Sequence, residues 1–375
     1  MDKIPVGVMG AGVMGSEIAQ VFAAAGHPVN LIDVDPQGLA RGLQHVKDIC
    51  ARRVKRGAMD EATATAIADR VTGYESAEVL ADCGLVVEAV PEVMRIKEIV
   101  WGNIESNAPE GAILASNTSG LSISTLAAFT SRPGNVLGMH FFNPASVMKL
   151  VEVIRGEGTD PGVFDRAVEI VSALGKTPVR VAECPGFLVN RVLVRALAAS
   201  YREAEALGAG TLSADETVAA GPAPMGPFAL GDLIGLDTTY HVQRDLEEAY
   251  GARFEAGTKL AAAVDRGELG QKSGTGFVVG QPESAADDHG AAVAERYYLG
   301  ALDEACRCAE EEVAAIGDVD LAMKLGAGWS VGPLAWADSE GLESVRDRLE
   351  ALGGDFAPRK ILLDHIASGS PLIAS

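Results

Sequence analysis

The sequence predicts an open α/β domain followed by two all-α domains that repeat one another. Three observations carry this. Short apolar, strand-like runs alternate with helix-like segments from residue 4 to about residue 184. The first of these runs ends in a glycine-rich turn. In the second half, which is otherwise helical, a twelve-residue stretch recurs at a constant offset of 106 residues.

Taken in order, Ile4-Pro5-Val6-Gly7-Val8-Met9 reads as a strand that runs into Gly10-Ala11-Gly12-Val13-Met14-Gly15. A helix follows over 16–25, closed by Gly26, and Val29-Asn30-Leu31-Ile32 forms a second strand with Asp33 at its end. This strand–GxGxxG–helix–strand–acid order is that of a Rossmann-type dinucleotide site, in which glycines let backbone approach a pyrophosphate at a helix N-terminus. Asp33 is placed to accept hydrogen bonds from ribose hydroxyls, and its charge would repel a 2′-phosphate. The expected cofactor is therefore NAD.

Residues 39–70 read as helical and carry Lys47, Arg52, Arg53, Lys55 and Arg56. Such a cluster is either a solvated face or a local patch for a phosphorylated substrate handle. Residues 84–90 form the next buried strand, with Glu92 and Lys97 where a loop enters a helix. Ile113-Leu114-Ala115 leads into the polar turn Ser116-Asn117-Thr118-Ser119. Turns at strand C-terminal ends line the ligand crevice of such sheets. Ser119 there would either bind a substrate oxygen or cap the following helix.

Gly138-Met139-His140-Phe141-Phe142-Asn143-Pro144 closes another strand, and Glu152 lies twelve residues after His140 within the apolar run 150–154. One reading is an imidazole–carboxylate pair, in which the carboxylate fixes the tautomer and stabilises the imidazolium of a general acid/base. The other is a hydrogen-bonded core histidine with a strand-end charge. A helix over 161–174 and a strand over 177–181 complete the first domain, and Cys184-Pro185-Gly186-Phe187 breaks the pattern. The long apolar helix over 188–206 then begins with Asn190, either a cap or a group facing a substrate across the junction.

The repeat aligns Gly226-Pro227-Phe228-Ala229-Leu230-Gly231-Asp232 with Gly332-Pro333-Leu334-Ala335-Trp336-Ala337-Asp338 and continues through Gly235-Leu236 and Gly341-Leu342. The preceding helices also correspond, with Arg296 standing where the first copy has Asn190, so the second copy cannot duplicate an Asn-dependent role. A Pro/Gly/Ser and acidic linker over 280–290 separates the copies. The expected domains are 1–184, 185–282 and 290–375.

Composition narrows the function classes. The chain has 375 residues, 48% of them hydrophobic, and a net charge of −21. That charge opposes nucleic acid or an anionic membrane as partner. Five cysteines without a CxxC fit reduced thiols and no zinc site, and the remaining histidines show no metal spacing. With no leader read before the first strand and no apolar span, the expectation is a cytoplasmic protein without metal.

Together these residues resemble the 3-hydroxyacyl-CoA dehydrogenase family, of the 3-hydroxybutyryl-CoA and fatty-oxidation type with tandem C-terminal helical domains. The resemblance covers almost the whole chain. It is most specific at residues 10–15, 116–119, 140–152, 184–190 and Gly270-Gln271-Lys272-Ser273-Gly274-Thr275-Gly276-Phe277. It implies oxidation of (S)-3-hydroxyacyl-CoA thioesters with NAD. His140 would be the base, Glu152 its partner, and Ser119 and Asn190 the groups that hold the substrate's 3-oxygen. Asp33, Glu92, Lys97, Asn143 and Lys272, with the 10–15 turn, would serve the cofactor.

The sequence departs from the family pattern at two places. The serine that contacts the CoA diphosphate aligns with Ile49, and a nearby lysine aligns with Arg56, the remaining candidate for the CoA end. The helical unit is also doubled, which implies either a homodimer or a monomer that forms the dimer contact within itself. Two alternatives follow: the same chemistry on a carrier-protein-bound acyl group or a free hydroxy acid, and a non-catalytic NAD-binding subunit of an oxidation complex.

Overall fold

The computed structural model describes residues 3–281 and 287–373. The chain divides between Glu183 and Cys184 into two compact units. Of the linker expected over 280–290, residues 282–286 lie outside the described residues.

The first unit is an eight-stranded sheet wrapped by helices. Its elements are β1 (Val6–Met9), α1 (Val13–Ala24), β2 (Val29–Ile32), α2 (Pro36–Lys55), α3 (Glu61–Asp69), β3 (Val71–Tyr74), β4 (Leu85–Glu88) and α4 (Met94–Asn107). There follow β5 (Ile113–Ser116), α5 (Ile123–Ala127), β6 (Val136–Phe141), β7 (Leu150–Arg155), α6 (Pro161–Ala173) and β8 (Thr177–Ala182). The strand order is β3-β2-β1-β4-β5-β6-β7-β8. Every neighbouring pair is parallel except β6 and β7. Central strands β1, β4 and β5 are buried along their whole length, which explains their unbroken apolar runs.

Two sequence expectations change. The single helix over 39–70 is broken in two, because Gly57 turns the chain at φ +69° and Asp60 caps α3 by accepting from the Thr63 N–H at 2.7 Å. Strand β3 was not expected at all. It is an edge strand of four residues, Val-Thr-Gly-Tyr, with one buried position, so it carries little apolar signal.

Glu105 on α4 anchors the turn that leads into β6. Its carboxylate accepts from the Ser131 and Thr130 hydroxyls and, at 3.1 Å, from Arg132 Nε. These hydroxyls, Ser131 foremost, hold its pKa at about 2, below the ordinary 4.5, against a smaller opposing effect of burial. A depressed carboxyl pKa stabilises the fold above the unfolded value and ceases to do so as pH falls toward the folded one. Glu105→Gln is therefore expected to be less stable than the wild type at neutral pH. The gap should close as pH drops from about 4.5 toward about 2; urea titrations at stepped pH check this, and a pH-independent gap would contradict it.

The second unit is helical: α7 (Val189–Leu207), α8 (Thr211–Ala219), α9 (Pro227–Ile234), α10 (Leu236–Tyr250), α11 (Thr258–Asp265), α12 (Gly290–Glu310), α13 (Ile316–Gly326), α14 (Pro333–Glu340), α15 (Leu342–Leu352) and α16 (Lys360–Ser368). The two long helices α7 and α12 pack against each other at its centre. The sequence repeat is also a repeat of contacts. Asp215 accepts from the Phe228 and Ala229 N–H groups at the start of α9, and Asp320 does the same for Leu334 and Ala335 at the start of α14. Asp232 likewise holds the 277–279 amides, and Asp338 those of Leu372 and Ile373. The glycine that opens each copy is forced by this packing. A Cβ on Gly226 would lie 2.2 Å from Asp215 Cα, and one on Gly332 would lie 2.2 Å from Asp320 Cγ.

Candidate active site

The parallel strands deliver their C-terminal ends to one edge of the sheet, and the candidate residues of the first unit collect there. At the end of β1, Gly10 has φ +104° and a Cβ on it would meet the Ala89 carbonyl oxygen at 2.6 Å. A Cβ on Gly15 would strike the Gly10 oxygen at 1.8 Å. Only a turn with glycine at both positions closes. Gly12 differs, because a Cβ there meets nothing within 4 Å. Gly12 caps α1 without a side-chain hydrogen bond, and the first turn of α1 holds no acid. An uncapped helix N-terminus with open space before it fits the pyrophosphate of a dinucleotide. Asp33 stands beside this turn. Its Oδ2 accepts from the Ala11 N–H at 2.8 Å and its Oδ1 from Asp35 N–H at 3.0 Å, while the residue stays half-buried.

Glu92 and Lys97 lie between the ends of β4 and β5. Glu92 accepts from the Thr118 hydroxyl and, at 3.0 Å, from the Ser119 N–H. Lys97 is 1% exposed, and its Nζ lies 3.0 Å from Glu92 and 2.8 Å from Glu88. It is fully engaged with carboxylates, so any service to a cofactor runs through Glu92, whose side chain is 43% exposed. Ser119 is exposed at the turn leaving β5, which pairs with β6.

His140 and Glu152 stand directly opposite each other in the one antiparallel pair of the sheet. Side chains at such positions point to the same face. His140 Nδ1 lies 2.7 Å from Glu152 Oε2, and both residues are buried. The strand register thus turns a twelve-residue separation into direct contact. Where Nδ1 donates to the carboxylate, Nε2 is the acceptor nitrogen of the neutral ring. The Phe142 ring packs on the imidazole at a centroid distance of 4.6 Å. His140 is the last residue but one of β6, at the strand end where the sequence placed it.

Asn143 is exposed on the loop after β6. That loop is clamped: Lys176 Nζ donates to the carbonyls of Ala145 and Met148 at 2.5 and 2.7 Å, and Glu17 accepts the Ser146 N–H at 2.7 Å. Burial, with Lys149 nearby, pushes the Lys176 pKa down to about 8. Arg56 is exposed at the C-cap of α2, whereas Ile49 is 3% exposed and packs inward from the same helix.

Two candidates belong to the second unit. Asn190 sits half-buried in the first turn of α7. The turn before it holds Gly186 at φ +77° and the buried Phe187 at φ +51°, a strained conformation for a bulky residue and one that often marks functional segments. Lys272 pairs with Asp237 beside Gly235.

Three further residues escaped the sequence reading. Glu88, fully buried at the end of β4, accepts from Lys97, Ser116 and the Val90 N–H. Asn117 Oδ1 accepts the Phe141 N–H at 2.8 Å, tying the β5 turn to the neighbour of His140. Glu17 anchors the loop of Asn143. Only Glu88 had a legible signal, a charge ending an apolar strand, as Asp33 does. Among the described residues, no group of three metal-ligating side chains and no helix long and apolar enough to cross a membrane is found. None of the five cysteines is in a disulfide.

Comparison with known proteins supplies the context for this geometry. The family model described as 3-hydroxyacyl-CoA dehydrogenase, NAD binding domain, matches residues 5–184. That of the C-terminal domain of the same family matches residues 186–280 and again 293–368. The fatty acid oxidation complex subunit alpha of Acinetobacter baumannii is 33% identical over 396 aligned positions, covering 96% of this chain and 55% of the relative. The chain thus spans about half the length of the curated relatives it matches. Among solved structures, 3-hydroxybutyryl-CoA dehydrogenase from Escherichia coli superimposes with a TM-score of 0.90 at 27% identity, over 98% of this chain and 100% of that one. The (S)-3-hydroxybutyryl-CoA dehydrogenase of Ralstonia eutropha gives 0.73 at 35% identity, over 75% of this chain and 100% of that one.

Proposed function

Because the chain belongs to the 3-hydroxyacyl-CoA dehydrogenase family, we propose that it interconverts (S)-3-hydroxyacyl-CoA and 3-ketoacyl-CoA with NAD, in fatty acid β-oxidation or short-chain acyl metabolism. The observation that carries this is the buried His140–Glu152 pair, with the Ser119 turn on the adjoining strand. His140 Nε2 takes the proton of the 3-hydroxyl. Glu152, on Nδ1, stabilises the imidazolium that forms. Ser119 holds the oxygen as it becomes a carbonyl, and holds the carbonyl in the reverse direction, and the family resemblance gives Asn190 the same role. NAD, when bound, supplies the ring that accepts the hydride from C3. The 10–15 turn, Asp33, Glu92, Asn143 and Lys272 would hold it, with Lys97 acting behind Glu92.

A second reading concerns only the handle. Ile49 faces inward, so the CoA end lacks that contact and Arg56 is the exposed group left on this helix. This keeps a carrier-protein thioester or a free hydroxy acid as alternatives. A non-catalytic subunit fits less well, because it has no chemical use for a buried His–Glu pair. We further place the protein in the cytoplasm, read 185–282 and 290–375 as separate helical domains, and assign a homodimer or a pseudo-dimeric monomer.

The test is NADH oxidation with acetoacetyl-CoA, a longer 3-ketoacyl-CoA and free acetoacetate in parallel. Turnover of the CoA thioesters with little on acetoacetate is expected. Turnover of acetoacetate alone would overturn the assigned handle.

A further inference from the structure

We propose that Glu88 is a positioning residue for Ser119, acting through Lys97 and Glu92 to hold the 116–119 turn in place. This rests on the reading above that Ser119 binds the substrate's 3-oxygen. Glu88 ends β4, in the middle of the sheet, and is 0% exposed. A buried carboxylate is tolerated only when it is paired and hydrogen-bonded. Glu88 meets that condition entirely with groups at the C-terminal edge. Lys97 Nζ approaches its two oxygens at 2.8 and 2.9 Å, the Ser116 hydroxyl donates to it at 2.6 Å, and the Val90 N–H at 2.9 Å.

Lys97 passes the constraint on. Its ammonium lies 3.0 Å from Glu92, and Glu92 accepts the Thr118 hydroxyl and the Ser119 N–H. A carboxylate–ammonium–carboxylate row therefore grips the turn at both ends, Glu88 at Ser116 and Glu92 at Ser119. The middle of the turn is tied elsewhere: Asn117 accepts the Phe141 N–H, next to His140. The row thus sets where Ser119 stands relative to the strand of the base. Without the Glu88 charge, Lys97 keeps Glu92 as its only counter-ion among the described residues and pulls on the carboxylate that holds Ser119. Ser116 loses its charged acceptor in the same step.

The experiment is a double-mutant cycle in the full chain, reading NADH oxidation with acetoacetyl-CoA. Glu88→Gln keeps the shape and removes the charge. In the wild-type background kcat, read at saturating NADH, is expected to fall by about 10-fold or more, toward the roughly 100-fold that a 1 Å misplacement can cost. In the Ser119→Ala background the same substitution is expected to cost nothing further. A merely structural role would lower activity in both backgrounds, and that result, or an unchanged kcat in Glu88→Gln, would overturn the proposal. Ser116→Ala cuts a single link and serves if Glu88→Gln does not fold; its loss should also vanish in Ser119→Ala, and persistence there counts against the proposal. Amide hydrogen exchange reads the turn without substrate. Faster exchange over 117–121 with β4 and β5 unchanged supports the proposal, and unchanged exchange contradicts it. A wild type that does not turn over acetoacetyl-CoA would refute the proposed function, while the exchange result would still decide the role of Glu88.

Discussion

Replacing His140 is expected to lower kcat by about 100- to 10,000-fold, the range for removal of a positioned general acid/base. The choice of substitution matters, because Glu152 is fully buried and a side chain without a donor would cost its carboxylate the hydrogen bond it receives from position 140. His140→Asn keeps an N–H near the Nδ1 position while removing the Nε2 that exchanges the proton. It should therefore retain the fold and bind NADH with wild-type affinity while failing to oxidise it. Glu152→Gln should move kcat in the same direction by a smaller factor, since the imidazole remains but its cation is no longer stabilised. Steady-state kinetics beside fluorescence titration of NADH separate these effects. A kcat unchanged in His140→Asn would mean that the buried pair is structural.

The second large effect is one of stability, and it links the two copies of the helical repeat. Arg191, the residue after Asn190, is 0% exposed on α7 and its Nε donates to Glu304 on α12 at 2.6 Å. Arg253 also donates to Glu304, at 2.8 Å, and the Arg191 guanidinium lies 4.2 Å from the Tyr250 ring centroid. Burial opposes the Glu304 charge, but Arg253 and Arg191 outweigh it and hold the carboxyl below its ordinary pKa. Glu311 lies 2.8 Å from Arg191 Nη2 but is 47% exposed, so removing Glu304 leaves the buried guanidinium poorly compensated, and Glu304→Ala is expected to lose about 3 kcal/mol of stability, the low end for a broken buried pair. Replacing Arg191 and Glu304 together by apolar residues, as in Arg191→Met with Glu304→Leu, removes the fully buried charges and leaves the partly exposed Arg253 without this carboxylate, so it should recover part of the loss. Denaturant unfolding of the single and double variants measures this. A double variant no more stable than Glu304→Ala would show that the pair is not what holds α7 to α12.

What could be read from the sequence, and what could not, follows from the range of each signal. The 10–15 turn, α1 and Asp33 are contiguous, so their geometry was legible within thirty residues. His140 and Glu152 were legible as a pair because two adjacent strands joined by a short connection bring residues at fixed spacing together. The break between α2 and α3 was lost because the helical periodicity on either side conceals one glycine. β3 was lost because an edge strand buries too little to leave an apolar pattern. Glu88 looked like part of an apolar run, since its partners Lys97 and Ser116 come from other elements and only the sheet order unites them. The inward direction of Ile49 was likewise a property of packing, which one position in a helix does not reveal. The repeat, by contrast, was visible as glycine, proline and aspartate at constant offset. The structure gives the reason: Gly226 and Gly332 make room for Asp215 and Asp320, while Asp232 and Asp338 each hold the backbone amides of a later segment.

The measurement that bears most directly on the central claim follows the hydride itself. The full chain is mixed with acetoacetyl-CoA and NADH deuterated at both positions of the nicotinamide C4, and the product thioester is analysed by mass spectrometry. The account predicts NADH consumption that yields 3-hydroxybutyryl-CoA with one deuterium at C3, and loss of that product in His140→Asn. Product without deuterium, or bound NADH left unconsumed beside the thioester, would contradict it.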